Sequence, residues 1–147
     1  AMATDFELAL FAQQLEEVLE LPEARRWSLE RDESVPLQIF VVMHSVSDPK
    51  EFYKARLRWR DLMKPPSLKF IDMTSDADNN PAAWPKCFGF RPGSLDACLP
   101  WTEEGHGLHP EWANSAANAF PKVAAPVQFA LLHLQSSLDN SYQGRGP

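Results

Sequence analysis

The sequence has only two cysteines in 147 residues, too few for the disulfide framework of a small secreted domain. It lacks an apolar run near the roughly 20 residues of a membrane helix, and its start shows no secretory signal. Basic residues are also few, since 14 Lys and Arg stand against 20 Asp and Glu, for a net charge of −6. Such a chain is not suited to coating nucleic acid. We therefore expect a cytoplasmic protein without nucleic-acid or membrane partners.

The remaining composition is that of a globular protein, with 44% apolar and 23% charged residues. We expect residues 1–147 to form one domain with a proper core. Nine of the thirteen prolines lie between Pro65 and Pro126. The second half should therefore be rich in ordered loops.

The first half predicts a helix followed by strands. Thr4 or Asp5 caps a helix that runs to about residue 21 and ends at Pro22. Its predicted apolar stripe is Phe6, Leu8, Phe11, Leu15, Val18 and Leu19. Strands are predicted at residues 25–31, 37–44, 51–60 and 67–73, with a turn at residues 47–50.

Two of these strands have a clear pattern of apolar and polar residues on their two faces. Residues 37–44 are apolar on both faces, which predicts cover on both sides. Residues 51–60 alternate, with an apolar face of Tyr53, Ala55, Leu57 and Trp59 and a basic face of Lys54, Arg56, Arg58 and Arg60. That pattern predicts a half-exposed antiparallel strand. The basic face is either a solvated sheet surface or a docking site for an acidic partner.

The second half predicts a long loop and a helix. Residues 74–125 show little periodicity, and loops of this length are usually functional. Pro126 suits the first position of a final helix with a buried stripe of Val127, Ala130, Leu131, Leu134 and Leu138. Residues 141–147 are expected to be a flexible tail. The order of helix, four-stranded antiparallel meander, long loop and helix predicts an α+β domain.

Cys98 lies in this loop, within GSLDACLPW at 93–101. A thiol in irregular backbone between a sheet and a helix is placed to react, whereas the plainer interpretation is a buried structural cysteine. We interpret Cys87, in the apolar stretch WPKCFGF at 84–90, as structural. Zinc binding by Cys87, Cys98, His106 and His109 is an alternative, but the cysteine spacing exceeds the usual two to four or so residues. A disulfide between the two cysteines is disfavoured in the cytosol.

The motifs in the second half, taken in order, resemble those of the ubiquitin-conjugating enzyme (UBC) family. They are KPPSLKF at 64–70, Cys98-Leu99, Trp112 and LLHLQSSL at 131–138. Members of that family have an opening helix, a four-stranded meander, a Pro-Pro segment, a long loop carrying Cys-Leu, a Trp and a further helix. The resemblance spans roughly residues 5–140 and implies the UBC fold.

The sequence departs from the family pattern in three places. The region before Cys98 is FGFR at 88–91 and lacks the family His-Pro-Asn, so the oxyanion role of that Asn cannot be carried over. Trp112 lies farther from Cys98 than the family Trp, which implies an insertion at residues 102–111. Many relatives also have two more helices. A compact version of this kind resembles the conjugating enzymes of bacterial Bil antiphage operons, a likeness carried by Pro100-Trp101 and HPEW at 109–112.

The resemblance implies transthiolation followed by aminolysis. Cys98 would accept the C-terminus of a ubiquitin-like modifier from an activating enzyme, and a lysine of a target protein would then attack the thioester. Cysteine suits both steps because its thiolate is a strong nucleophile and a good leaving group. No cofactor or metal is required.

Other polar residues could assist this chemistry. The candidate donors to the oxyanion are backbone amides near Cys98 and the side chains of His109, His106, Asn114 and Asn118. We favour His109, because Pro110 and Trp112 would fix its surroundings. Either histidine could instead lower the thiol pKa or relay the amine proton. The candidates for deprotonating an incoming lysine are Asp96, Glu103 and Glu104.

Two alternatives from other classes remain open. One is a catalytically inactive relative of the same fold that binds a ubiquitin-like protein as an adaptor, and the other is a small zinc-stabilised interaction module.

His44 and His133 are interpreted as ordinary histidines. Trp84, Trp101 and Trp112 are expected to hold the long loop in place. The outer face of the first helix is acidic, so a partner that binds there is expected to have a basic surface.

Overall fold

The computed structural model describes residues 3–147, which fold as a mixed α+β structure. Helix α1 (Asp5–Val18) precedes strands β1 (Ser28–Arg31), β2 (Gln38–Ser45), β3 (Asp48–Arg58) and β4 (Ser67–Ile71), and these strands form one antiparallel sheet in sequence order. The second half contains a two-stranded ribbon of β5 (Phe90–Arg91) and β6 (Asp96–Ala97), a short helix α2 (Glu103–Leu108) and helix α3 (Pro126–Asn140). The predicted α+β class, opening helix, four-stranded antiparallel sheet and final helix are confirmed. Within residues 3–147, no helix is both long and apolar enough to cross a membrane.

Helix α1 begins with a capping box. The Thr4 side chain accepts a hydrogen bond from the Glu7 amide (3.0 Å), and the Glu7 carboxylate accepts one from the Thr4 amide (3.2 Å). This arrangement satisfies two amides that the first turn leaves unpaired. Thr4 is therefore the cap, and the helix ends at Val18 rather than near residue 21.

The buried face of α1 is narrower than its apolar stripe predicted. Phe11 and Val18 are buried, but Phe6 is 75% exposed and Leu19 is 59% exposed, so those two assignments are wrong. Gln14 is buried instead, because its carbonyl oxygen accepts the amide of Val127 at the start of α3 (3.1 Å). The first amides of a helix have no partner within the helix, and at α3 a glutamine from α1 supplies one.

The sheet has one apolar face and one mixed face. Alternate residues of its strands are buried beneath the helices: Ile39, Val41, Met43, Tyr53, Ala55, Leu57, Leu68 and Phe70. The opposite face carries Lys54 and Arg56, as predicted for a half-exposed strand. Phe40 and Val42 on that face are half-buried, so the predicted cover on the second side of β2 is partial. The Lys54 ammonium lies 5.0 Å from the centre of the Phe40 ring and covers part of it.

Several predicted boundaries shift. The weak strand at 25–31 is β1 only from Ser28, because Pro22–Arg26 form a 3₁₀ turn. The turn predicted at 47–50 lies at 46–47, since β3 already begins at Asp48. The Ser45 hydroxyl oxygen closes that tight turn by accepting the Ser47 amide (3.2 Å).

The long loop has more secondary structure than expected, and the tail is more ordered than expected. Residues 74–125 contain the ribbon, α2 and three 3₁₀ turns. The prediction of a flexible tail is wrong, because backbone hydrogen bonds join Lys86 to Gly144 (2.7 Å) and to Gln143 (2.8 Å). The Arg145 guanidinium pairs with Glu51 and lies 4.3 Å from the centre of the Tyr53 ring. The end of the chain is thus tied to both the loop and the sheet.

Asp139 of α3 joins three elements. Its carboxylate accepts hydrogen bonds from Arg26 (2.7 Å), from the Val46 amide (2.9 Å) and from Gln135 (3.0 Å). Burial opposes ionisation of this carboxyl, but the hydrogen bonds outweigh it and hold the pKa of Asp139 below its usual value.

We expect Asp139→Asn to lower the free energy of unfolding at pH 7 by about 2 kcal/mol. A carboxyl whose pKa is depressed in the folded state stabilises it above the unfolded pKa of about 3.9, and that contribution is lost at lower pH. The difference between wild type and variant should therefore shrink as the pH falls below about 4. Urea titrations at several pH values measure this difference in the free energy of unfolding. Glu33→Gln, which changes an exposed carboxylate, is the control. A difference that stays constant down to pH 2 or so would contradict the assignment.

Candidate functional site

Cys98 lies directly after β6, where the ribbon ends. The residue is half-buried, its thiol is free, and its amide donates to the Gly89 carbonyl oxygen (2.8 Å). Gly89 has a φ of +81°, and a Cβ there would lie 2.5 Å from Leu99 Cδ2, so the position requires glycine. Irregular backbone around the thiol was predicted. The thiol is partly accessible to solvent while its backbone is fixed.

Thr102 organises the backbone on both sides of Cys98. This residue is completely buried, and its hydroxyl donates to the Ala97 carbonyl oxygen (2.6 Å). The same oxygen accepts the Gly105 amide (3.0 Å) and so caps α2. One side chain therefore ties the residue before Cys98 to the helix after it. Thr102 was not identified from the sequence, although a threonine before two glutamates is a known helix-start signal.

We expect Thr102→Val to lower the free energy of unfolding by about 2 kcal/mol, because it removes the cap and leaves the buried Ala97 carbonyl without its donor. Thermal unfolding measures the loss. Thr74→Val, at an exposed turn position, is a matched control and should change stability by less than about 0.5 kcal/mol. Equal effects of the two substitutions would show that the Thr102 hydroxyl has no special role.

Helix α2 is anchored to the start of β4. The Glu104 carboxylate accepts hydrogen bonds from the Ser67 hydroxyl and from the Leu68 amide (3.1 Å). The Glu103 amide donates to the Pro66 carbonyl oxygen (2.8 Å), and the Glu103 side chain pairs with Arg60 (2.6 Å). Both glutamates, named from the sequence as candidate bases, are therefore engaged in holding α2. Residues 102–111, expected to be an insertion, form this helix and its flanks.

A charged pair lies across the ribbon beside Cys98. Arg91 donates two hydrogen bonds to Asp96, both 2.7 Å long. The carboxylate of Asp96 raises the pKa of Arg91, and the Cys98 thiolate adds a smaller electrostatic contribution. Asp96, the third candidate base, is thus paired with a cation. Arg91 was not identified from the sequence, yet it is a cation within electrostatic range of the thiol.

The two candidate histidines have other partners. His106 Nε2 lies 2.7 Å from the Pro100 carbonyl oxygen, and the ring meets Trp112 edge-on. His109 stacks on Trp112 with 4.4 Å between the ring centres, and its Nδ1 lies 3.0 Å from a Glu111 carboxylate oxygen. Trp112 does fix the surroundings of His109, as expected. A role for either histidine at the thiol stays a prediction.

The two candidate asparagines lie beyond α2. Asn114 is exposed at the end of the 3₁₀ turn Pro110–Asn114. Asn118 is half-buried, and its backbone N–H donates to the Ser115 hydroxyl oxygen. Among the hydrogen bonds of residues 3–147, none joins either asparagine side chain to the segment around Cys98. Their role as oxyanion donors also stays a prediction.

Cys87 differs sharply from Cys98. It is 8% exposed, and burial raises the pKa of its thiol to about 12 despite a hydrogen bond with the Ser141 side chain. The structural interpretation of Cys87 is confirmed. Both cysteines are free, and within residues 3–147 no three or more His, Cys, Asp or Glu side chains converge to hold a metal. The zinc site of Cys87, Cys98, His106 and His109 is therefore not formed.

The remaining histidines and tryptophans are largely structural. His44 Nδ1 lies 2.9 Å from the Ser45 carbonyl oxygen. His133 lies on α3 against the Phe129 ring (4.2 Å between centres), and partial loss of hydration lowers its pKa. Trp84 and Trp101 are buried, and Trp112 is half-buried against the histidines. All three hold the long loop, as expected.

A groove of about 580 Å³ begins at Leu99, the residue next to Cys98. Its walls are Trp101, residues 116–121 of the loop, and the Phe129 and His133 side of α3. Phe88 is 80% exposed at its rim. The lining is partly apolar, so the groove could accept a peptide segment beside Leu99.

No model of a protein family, no curated protein and no solved structure matches the chain.

Proposed function

We propose that this protein is a ubiquitin-like-protein conjugating enzyme of the UBC fold, with Cys98 as the residue that carries the modifier. The observation behind the proposal is the contrast between the two thiols. Cys98 is partly accessible in a loop fixed by Thr102 and Gly89, whereas Cys87 is buried with a raised pKa. Reactive cysteines lie in partly exposed positions near cations, and structural ones lie in apolar surroundings. The order of helix, sheet, cysteine loop and helix supports the same proposal.

The reaction has two steps. The Cys98 thiolate attacks the thioester carbonyl of the charged activating enzyme, a new C–S bond forms, and the activating enzyme's thiolate leaves. A target amine then attacks the new thioester, a C–N bond forms, and the C–S bond to Cys98 breaks while the amine loses a proton to a base.

The oxyanion in the second step needs a donor other than the Cys98 amide, because that amide is already bonded to Gly89. His109 remains our first candidate, and it would have to leave Glu111 to reach the carbonyl oxygen. The Leu99 amide is a second candidate, since its bond to Thr102 is long at 3.4 Å. The groove that begins at Leu99 supports binding of the modifier's C-terminal segment.

The biological setting rests on the family likeness. Bil-type operons encode a ubiquitin-like protein, an activating enzyme and a deconjugating protease beside the conjugating enzyme. We propose that this protein acts in bacterial antiphage defence with such partners. Identification of the neighbouring genes tests this part.

The test is a charging assay on a non-reducing gel with the cognate modifier, its activating enzyme and ATP. Wild type and Cys87→Ser should form an adduct that a thiol reductant removes. Cys98→Ser should form either no adduct or an oxygen ester that resists the reductant. An adduct on Cys98→Ser that is still sensitive to the reductant would assign the chemistry to another residue.

The adaptor remains the second candidate, and one observation favours it. The three acids and two histidines near the cysteine are all hydrogen-bonded elsewhere. If wild type carries no adduct while the activating enzyme is visibly charged, the catalytic proposal fails. A stable non-covalent complex with the modifier would then support the adaptor.

A further inference from the structure

A second concave surface shares no lining residue with the groove at Leu99. This arginine cleft has a volume of about 700 Å³ and lies between the start of α1, the start of β2 and the end of β3. Arg56, Arg58 and Arg60 line one side. The accessible apolar surface comes from Ala3, Leu8 and Pro36, since Leu37 and Trp59 are buried. Three cations that share one cleft are notable in a chain of net charge −6.

The three arginines differ in how far they are neutralised. Arg56 pairs with Asp78 (3.2 Å), and Arg60 pairs with Glu103 although its side chain is 80% exposed. Arg58 bonds through Nε to the neutral Gln38 side chain. Within residues 3–147 it has no acidic partner, so its two terminal NH₂ groups remain available. Exposed ion pairs such as those of Arg56 and Arg60 contribute little and exchange readily.

The spacing of these cations has a regular period. Arg56 and Arg58 are alternate residues of β3, and Arg60 continues the series two residues beyond its end. Alternate residues of a strand are about 7 Å apart. An extended peptide repeats its side chains on one face at the same interval, so carboxylates at alternate positions would match the guanidinium groups. Guanidinium groups bind carboxylates through paired hydrogen bonds.

We propose that the arginine cleft binds an extended acidic segment of a partner protein, with carboxylates at alternate positions. Asp5 and Glu103 also line the cleft, and their charge restricts where the carboxylates of the segment can lie. Nucleic acid is a poorer fit, because the protein as a whole is negatively charged. This proposal does not depend on the chemistry at Cys98.

The test uses two fluorescein-labelled peptides of identical composition, GELEVEG and GLEEEVG. Fluorescence polarisation should show saturable binding of the alternating peptide and weaker binding of its isomer. Arg58→Glu should weaken binding at least about tenfold, because a charge-assisted contact becomes a repulsion. Arg25→Glu makes the same charge change at an exposed arginine outside the cleft and should change binding less than about twofold.

Nuclear magnetic resonance gives a readout for the site itself. The Trp59 indole N–H signal should shift on titration of the wild-type protein with GELEVEG. The spectrum of Arg58→Glu without peptide should show that this variant is folded. The proposal is overturned if neither peptide binds saturably at about 1 mM, or if Arg25→Glu and Arg58→Glu weaken binding equally. It is also overturned if a single-stranded oligonucleotide binds more tightly than the peptide in an Arg58-dependent way.

Discussion

Gly105→Ala is expected to lower the free energy of unfolding by about 3 kcal/mol, at the upper end of the usual cost of overpacking. A Cβ at this position would lie 2.3 Å from the Leu99 carbonyl oxygen and 2.7 Å from the Leu99 amide nitrogen. Backbone atoms cannot move aside as a flexible side chain can. Helix α2 would have to separate from Leu99, and the segment that carries Cys98 would lose its support.

Gly107→Ala is the matched control for this prediction. It lies in the same helix, and a Cβ there meets no atom within 4 Å. Alanine is the better helix former, so this variant should gain about 0.5–1 kcal/mol. Chemical denaturation measures the free energy of unfolding of both variants. Two variants of equal stability would show that α2 does not rest on the Leu99 backbone as described.

The native protein is expected to react with iodoacetamide at Cys98 and to leave Cys87 unmodified. Burial raises the pKa of Cys87 to about 12. An unfolded cysteine has a pKa near 8.5, so folding reduces the thiolate of Cys87 at neutral pH by on the order of 10³. Alkylation proceeds through the thiolate, and the rate should fall by the same factor.

Peptide mass spectrometry after timed labelling tests this expectation. A Cys98→Ala variant should take up label in guanidinium on the order of 10³ faster than in buffer, and the native rate should rise with pH up to about 12. Cys87→Ala should label quickly in both conditions. Rapid native labelling of Cys98→Ala would mean that Cys87 is open to solvent.

The sequence predicted the elements whose signals are local. Thr4 has capping chemistry, Pro126 occupies the first position of α3, and the alternation of residues 51–60 marks the buried face of β3. Phe6 was misplaced, and the burial of Gln14 was not predicted, because the helical period does not say which part of a stripe meets another element. Gln14 is buried through a bond to Val127, which is distant in sequence.

Helix α2 and its contribution to the site could not be predicted in this way. Two glycines in its six residues lower its helical propensity, and it forms because Gly105 lets it pack on Leu99. Cys98 was located correctly in irregular backbone from its local sequence. Its relations to Arg91 and Thr102 depend on the ribbon and on the cap of α2, which no local pattern specifies.

The backbone pairing of Lys86 with Gln143 and Gly144 affects the order in which the protein folds during synthesis. Residues 84–86 lead into the segment that turns toward Cys98, and Trp84, Lys86 and Arg145 form contacts with partners about 60 residues or more away in sequence. Contacts of this range form late, after the intervening chain has been ordered. During synthesis the sheet can assemble while the thiol segment stays open, and that segment closes only after residues 143–146 have left the ribosome. The segment before Cys98 would therefore gain its final surroundings after the sheet has formed.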